Sequence, residues 1–389
     1  MISCFSATNT GNGGHYHSVK MVAHAYKKKY PQSDVRIISV GNFPPPALYQ
    51  THVPCEHVHV GIRELWQPGA WMSRLCDAPP THVHAFDRKA FFFAALLARK
   101  FGANLYLTKP GGPNPGFYFP FCEDLFVFSK ENEEWFRARK KFARCRIHFL
   151  PNRTTHVPAD MARIDDMRQR YDLSGFVVLR IGRISPYYWR TAQQTLHLAD
   201  VLRSRGMPAK AVFIGVVESN AALQKILESK HSTDVVVTDP VFTRNAAELL
   251  PIADVVVGTG RSAMEAAIAG KPVVCPTQDF DLPVLLTKQT VAQLMRANFS
   301  ERSSIADPEF GEGSAAPERL ISLLSDTQRL TEVRSETAAI AAEFFDIDKA
   351  IARYSEVYSR RQGGQLSVAE RVVLWCGVAV ACLRSSARG

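Results

Sequence analysis

Val257-Gly258-Thr259-Gly260-Arg261-Ser262-Ala263-Met264-Glu265-Ala266-Ala267-Ile268-Ala269-Gly270-Lys271-Pro272-Val273-Val274 is the stretch on which the fold turns. The apolar run Ala253-Asp254-Val255-Val256-Val257 enters it, and Val273-Val274 leaves it. Between them stand a glycine-rich turn, a small-residue run of helical length and a Gly-Lys-Pro break. Near-continuous apolar runs suit parallel strands covered on both faces, so the unit reads strand, turn, helix, strand. The free N–H groups at such a helix start would suit a pyrophosphate. Glu265 lies one turn inside, where its carboxylate could accept bonds from ribose hydroxyls. Ser262-x-x-Glu265 is equally a capping box, which closes a helix start with no ligand. Locally the two readings are equal; the complete strand–turn–helix–Gly-Lys-Pro–strand unit favours the ligand.

The same alternation extends outward. Further strands are expected at 2–7, 35–40, 82–86, 104–108, 125–128 and 145–150, and a second series at 176–181, 210–215, 234–237, 254–257 and 272–275. Helical-length stretches fall between them, at 15–29, 88–101, 190–205 and 243–250. Alternating β and α elements imply an α/β protein with doubly wound parallel sheets, and two series imply two Rossmann-like domains. The break is expected near Leu150-Pro151-Asn152-Arg153, where a strand ends in turn chemistry, with 151–175 as connector. That gives an N-terminal domain over 1–155 and a C-terminal one over 156–345. Helices near 315–325, 327–344 and 347–361 follow; residues 346–389 form a terminal helical part, with Gly363-Gly364 setting off 365–389.

Composition bounds the class. Of 389 residues, 46% are hydrophobic and 22% charged, which suits a soluble globular chain and excludes disorder or a collagen-like repeat. No apolar run reaches the ~18 residues of a membrane span. Met1-Ile2-Ser3-Cys4-Phe5-Ser6-Ala7 lacks a basic flank, is too short for a signal peptide, and reads as a first strand. The 47 Lys and Arg against 37 Asp and Glu give a formal charge of +10, which suggests an anionic partner: nucleic acid, an acidic membrane face or a phosphorylated ligand. The eight cysteines form no C-x-x-C pair and read as reduced core thiols of a cytosolic protein.

Other motifs carry weaker signals. Thr10-Gly11-Asn12-Gly13-Gly14-His15 lies between the first strand and a helix, so Gly13, Gly14 and His15 are candidates for binding an anionic ligand. It is not a dinucleotide fingerprint, since position 16 is Tyr. Three H-x-H pairs stand at 15/17, 57/59 and 82/84. Residues i and i+2 of a strand share a face, but no Cys or acidic cluster completes a ligand set, so no metal is expected. Lys27-Lys28-Lys29 and the segment from Trp135 to Arg144 mix cations with large apolar groups. They suit either a helix on anionic lipid or a solvated charged face; no nucleic-acid module is present. Val372–Leu383, bounded by Arg371 and Arg384, is too short to span a bilayer. It could lie in a membrane interface with Trp375 as anchor, or pack back on the protein.

The Val257–Val274 unit resembles the nucleotide-sugar site of glycosyltransferases with the GT-B fold, in particular the retaining superfamily (group 1-like) of capsule and exopolysaccharide synthesis. Ile181-Gly182-Arg183-Ile184 resembles the family's G-R motif, Phe213-Ile214-Gly215 a strand ending in glycine, and 237–254 its base-binding loop and following strand. Pro151-Asn152 is similar to its linker; Lys109–Pro115 and Phe128–Asn132 are similar to a subset of capsule-type enzymes. The resemblance is nearly continuous over 176–276 and patchy before it. It implies two Rossmann-like domains facing a cleft. Arg183 would hold the leaving diphosphate, Glu265 the ribose, and Val241 with nearby backbone the base. Gly258, Thr259, Gly260, Arg261, Ser262 and Ala263 would form the turn that cradles the diphosphate. His84 would lie near the acceptor; the other reading makes it a histidine capping a strand end. Two positions depart from the family: Val257 stands where an earlier Glu is usual, and Tyr188 where a Lys is usual. Backbone groups of 258–260 would replace the first, and Arg190 or Lys109 the second.

The resemblance thus implies a hexosyltransferase-type enzyme that is metal-independent, with no cofactor. It would move sugar from a nucleotide-sugar donor to a glycan or lipid-linked acceptor, with retention, in the cytoplasm or peripherally on the cytoplasmic membrane face. The GT-B fold also carries nucleotide-sugar 2-epimerases, and the departures would also suit a non-catalytic partner subunit; both stay open at this point.

Overall fold

The computed structural model describes residues 2–7, 14–45, 48, 52–59, 79–116, 118–151, 154–305, 316–360 and 368–386. The chain divides into two compact units: residues 1–153 with 347–389, and residues 154–346.

The first unit is built on a parallel sheet of β1 (Ile2–Ala7), β2 (Val35–Val40), β3 (Cys55–Val58), β4 (His82–Ala85), β5 (Asn104–Lys109), β6 (Asp124–Val127) and β7 (Arg146–Phe149). Their order is β3-β2-β1-β4-β5-β6-β7, so the direction of winding reverses between β1 and β4. The crossover helices are α1 (Gly14–Lys29), α2 (Arg88–Phe101) and α3 (Lys130–Arg137). Asp87 caps α2 by accepting from the N–H groups of Lys89 and Ala90, and Gly102 ends it in the left-handed conformation. Ala90 to Ala98 are all buried. A helix apolar on every side must be covered on every side. The sheet takes one side of α2 and a helix from the chain's end takes another.

The second unit opens with α4 (Met161–Tyr171), which lies inside the stretch expected to be connector. Asp160 caps its start and Asp172 ends it in the left-handed region. A second sheet follows: β8 (Phe176–Ile181), β9 (Ala209–Ile214), β10 (Val235–Val237), β11 (Val255–Val257), β12 (Val273–Cys275) and β13 (Val284–Leu285). The order is β10-β9-β8-β11-β12-β13, parallel except for the β12–β13 pair. Helices α5 (Trp189–Ser204), α6 (Asn220–Ser229), α7 (Pro240–Thr243), α8 (Arg261–Ile268), α9 (Val291–Arg296), α10 (Ala316–Ser325) and α11 (Thr327–Phe344) complete it. The single helix expected over 243–250 is not formed. Asn245 adopts φ 47° and Arg244 is extended, so α7 stops at Thr243 and a 3-10 turn runs from Ala246 to Ile252.

The chain then returns to the first unit. In α12 (Ile347–Tyr358), Tyr354 and Tyr358 pack among Tyr106, Phe126 and His84. In α13 (Val368–Ser386), Leu374 and Val378 join the core around α2. Val372, Val373, Trp375 and Val380 of the same helix remain exposed. Among the described residues no helix is long and apolar enough to cross a membrane. The expectation of buried thiols needs correction: Cys122 and Cys275 are buried, but Cys55 and Cys376 are exposed, the first on an edge strand and the second on the outer side of α13. The Trp135–Arg144 segment is not one interfacial helix either. It is the end of α3 plus a 3-10 turn, with Phe136 and Phe142 in the core and the cations outside.

Candidate functional site

In the second sheet β8 lies between β9 and β11, so winding reverses at the β8–β11 step. Ligands of open α/β sheets bind outside the carboxyl ends of the strands at such a step. Register pairs Val178 with Val255 and Leu179 with Val256. Gly182-Arg183 therefore leaves one strand beside the Gly258-Thr259-Gly260 turn that leaves the other.

The turn needs its glycines. A Cβ on Gly258 would lie 2.5 Å from Ala263 Cα and 2.8 Å from Ala263 N, so only glycine lets the turn lie against the start of α8. Gly260 takes φ 51° and ψ −117°, a conformation other residues avoid. The capping box, which was the alternative to a ligand, does not form. Ser262 Oγ instead meets the N–H and C=O of Thr259, both at 3.0 Å. Gly260 caps the helix without a side-chain bond, and Glu265 pairs with Arg261 at 3.0 Å. Glu265 is 6% exposed; burial pushes its carboxyl up from the usual range and Arg261 opposes this. The N–H of Ser262, expected in the cradle, donates to the Thr259 carbonyl at 3.1 Å, and those of Gly258 and Thr259 are taken by the Val274 carbonyl and Ser262 Oγ; the N–H groups of Gly260, Arg261 and Ala263 are the ones left to face an anion.

The cations are already engaged. Arg183 donates through Nη1 to Glu218, at 2.9 and 3.2 Å, and through Nη2 to Tyr188 Oη at 2.8 Å. Tyr188 is therefore a partner of the arginine. Arg190, in the first turn of α5, donates to the Phe280 carbonyl at 2.5 Å and lies 3.5 Å from Asp281. Lys109, ending β5, turns its ammonium back onto the carbonyls of Pro110 and Gly111. Lys271 of the Gly-Lys-Pro break donates to the carbonyls of Pro251 and Ala253, at 3.0 and 2.8 Å. It ties the loop before β11 to the loop before β12.

Val241 is 52% exposed and borders an open concavity of about 360 Å³, lined also by Arg163, Pro240, Arg244 and Asn245. Its N–H donates to Asp239 at 2.8 Å, and its carbonyl accepts from Arg163 at 2.7 Å. Arg163 also pairs with Glu248 and reaches the Arg244 carbonyl at 2.8 Å. It lies nearly eighty residues before the loop it organises, and only its place on α4 brings it there. No local motif marks it.

His84 is corrected. It has no exposed surface; its Nδ1 lies 2.6 Å from Tyr358 Oη and its Nε2 2.7 Å from Thr108 Oγ1. Burial lowers its pKa to about 3, against an opposing pull from Asp124. A neutral histidine sealed by Phe86, Phe126 and Tyr354 serves the core and cannot meet an acceptor. Gly13 lies outside the described residues; Gly14 and His15 open α1. Among the described residues no group of three or more His, Cys, Asp or Glu is placed to hold a metal ion.

No protein-family model matches the sequence, and no curated protein matches it. Solved structures do match. The Anabaena HepE complex with UDP and glucose is 14% identical over 93% of this chain and 100% of that one, with a TM-score of 0.62. A glycosyltransferase from Rickettsia africae is 13% identical over 92% and 97%, with a TM-score of 0.63. Sucrose-phosphate synthase from Thermosynechococcus elongatus is 13% identical over 92% and 98%, with a TM-score of 0.61. At these identities the likeness is one of architecture, and together with two doubly wound parallel sheets it establishes that the chain has the GT-B fold.

Proposed function

We propose that the chain is a glycosyltransferase that takes a sugar from a nucleotide-sugar donor bound at the carboxyl end of β8 and β11. The observation that carries this reading is the uncapped start of α8. Gly258 and Gly260 shape its approach, buried Glu265 lies one turn in, and Arg183 leaves the neighbouring strand. The bond between the anomeric carbon and the diphosphate oxygen breaks as the acceptor hydroxyl oxygen bonds to that carbon. Negative charge collects on the leaving diphosphate, where Arg183 and the N–H dipoles of Gly260, Arg261 and Ala263 oppose it. With retention, the leaving phosphate itself takes the acceptor proton, so no side-chain base is required. Glu265 accepts from the ribose, and the 241–245 loop reads the base. HepE, with UDP and glucose bound, supports a uridine donor carrying a hexose.

The acceptor reading is a glycan, lipid-linked, in surface polysaccharide synthesis at the cytoplasmic membrane face. The exposed Val372, Val373, Trp375 and Val380 of α13 and the formal charge of +10 support it. One observation favours a second reading, a non-catalytic partner subunit: Glu218 already neutralises Arg183.

Thermal denaturation against UDP, GDP, CDP and dTDP tests the donor site. Ligand at ~100-fold over its dissociation constant adds ~2.7 kcal/mol. Stabilisation by one nucleotide series, lost in Glu265→Ala and Arg183→Ala while both stay folded, is the expected result. No stabilisation by any of the four refutes the reading in favour of a partner subunit.

A further inference from the structure

Arg180 lies two residues before Gly182, in a strand otherwise made of Phe, Val, Leu and Ile. It is 3% exposed, and its Nε has no hydrogen-bond partner. Glu301, the acid that acts on it electrostatically, turns its Oε1 to Thr191, accepting from both the N–H and the hydroxyl. Burial lowers the Arg180 pKa to about 10, so the guanidinium is still charged at neutral pH. A charge withdrawn from water without acceptors works against folding. Filling the place with an apolar side chain would be the easier solution.

Its surroundings are arranged around it. Gly182 leaves room, since a Cβ there would lie 3.0 Å from Arg180 Nη1. The Tyr188 ring centroid is 5.5 Å from the Arg180 guanidinium and 5.3 Å from that of Arg183, so one ring borders both cations. Leu179 pairs with Val256, which sets Arg180 level with the last residue of β11, just below the Gly258 turn. Two strands along, past the end of β12, Thr277 Oγ1 is also buried without a partner.

We propose that Arg180 is a second diphosphate-binding cation, set beneath Arg183 and the Gly258 turn, whose missing acceptors are the ligand's phosphate oxygens. This rests on the nucleotide-sugar reading above. A guanidinium matches phosphate oxygens two at a time. Tyr188, bordering both arginines, is the cover that the diphosphate displaces.

The test uses the full chain and the variants Arg180→Met and Arg180→Lys. The probes are UDP, GDP, CDP and dTDP, each against its own nucleoside. In Arg180→Met the preferred diphosphate is expected to bind about 10- to 100-fold more weakly, the size of a lost bond to a charged group. Nucleoside binding should be unchanged and the ligand-free melting midpoint equal or higher, because an unpaired charge has gone. Arg180→Lys should recover part of the diphosphate affinity. Diphosphate binding in Arg180→Met equal to that of the unaltered chain overturns the proposal. So does a lowered ligand-free midpoint with diphosphate and nucleoside weakened alike, or a variant that does not fold, because the role is then structural. An unaltered chain that binds none of the four diphosphates removes the donor site itself, and the proposal with it.

Discussion

Replacing Gly258 by alanine puts a methyl group 2.5 Å from Ala263 Cα, 2.8 Å from its nitrogen and 2.9 Å from its Cβ. Carbon atoms rest at about 3.5–4.0 Å, so the turn and α8 must part by about 1 Å. Nothing nearby yields easily: the contact is with backbone, and Ala263, Met264, Ala266 and Ala267 are fully buried. Overpacking of this kind costs about 1–3 kcal/mol, which in a unit of this size lowers the melting midpoint by about 2–12 °C. Gly270→Ala is the control, because Gly270 has φ 67° and nothing within 4 Å of its would-be Cβ. It bears only the left-handed backbone cost, about 1–2 kcal/mol. Scanning calorimetry of both variants, with and without the preferred nucleoside diphosphate, separates the effects. Gly258→Ala should lose ligand stabilisation altogether, because the anion-facing N–H groups are displaced, whereas Gly270→Ala should keep it. A Gly258→Ala protein that melts with the unaltered chain and still binds would refute the close-approach argument.

Three other expectations concern separate parts of the molecule. Below pH 6.5 the unfolded chain protonates His84 and the folded one does not, down to about pH 3. Stability from this group is therefore full above 6.5 and falls by about 1.4 kcal/mol per pH unit below it. Urea midpoints should show a shallower acid loss in His84→Gln, and equal slopes would contradict the assignment. Glu218→Gln releases the Arg183 guanidinium from a half-exposed ion pair; titration calorimetry should find the diphosphate bound about 2- to 5-fold more tightly, and weaker binding would mean that Glu218 positions Arg183. In Gly377→Ala the new methyl overlaps the Phe92 ring, so α13 should lift from α2 and its backbone become protease-sensitive at an overpacking cost of about 1–3 kcal/mol. Unchanged digestion would count against that packing.

The strands of both sheets were legible where burial makes them continuous apolar runs, as in Ala211–Ile214 and Val255–Val257. Cys55-Glu56-His57-Val58 forms an edge strand with no such run, and Val284-Leu285 is only two residues long, so neither announces itself. The helix expected over 243–250 failed at Asn245, whose left-handed backbone no apolar periodicity reveals. The Gly258 turn was legible from its glycines; its partners were not. Arg183 meets Glu218 thirty-five residues away, and Arg163 reaches Val241 from seventy-eight residues away. His84 misled because its face of the sheet is covered by Tyr354 and Tyr358 of α12, about 270 residues further along the chain, which no local pattern around His84 reveals. Arg180 was passed over because one arginine does not spoil an apolar strand; its meaning lies in the acceptors it lacks.

That α12 belongs with residues 1–153 has a consequence for synthesis. The second unit is one unbroken stretch, so every strand of its sheet has left the ribosome before the helix that completes the first unit exists. At about 5–20 residues per second, the nearly two hundred intervening residues take about 10–40 s. Through that interval Tyr106, Phe126 and His84 wait without Tyr354 and Tyr358. The half of the chain made first is thus finished last, and its open aromatic face is the surface a chaperone would need to guard.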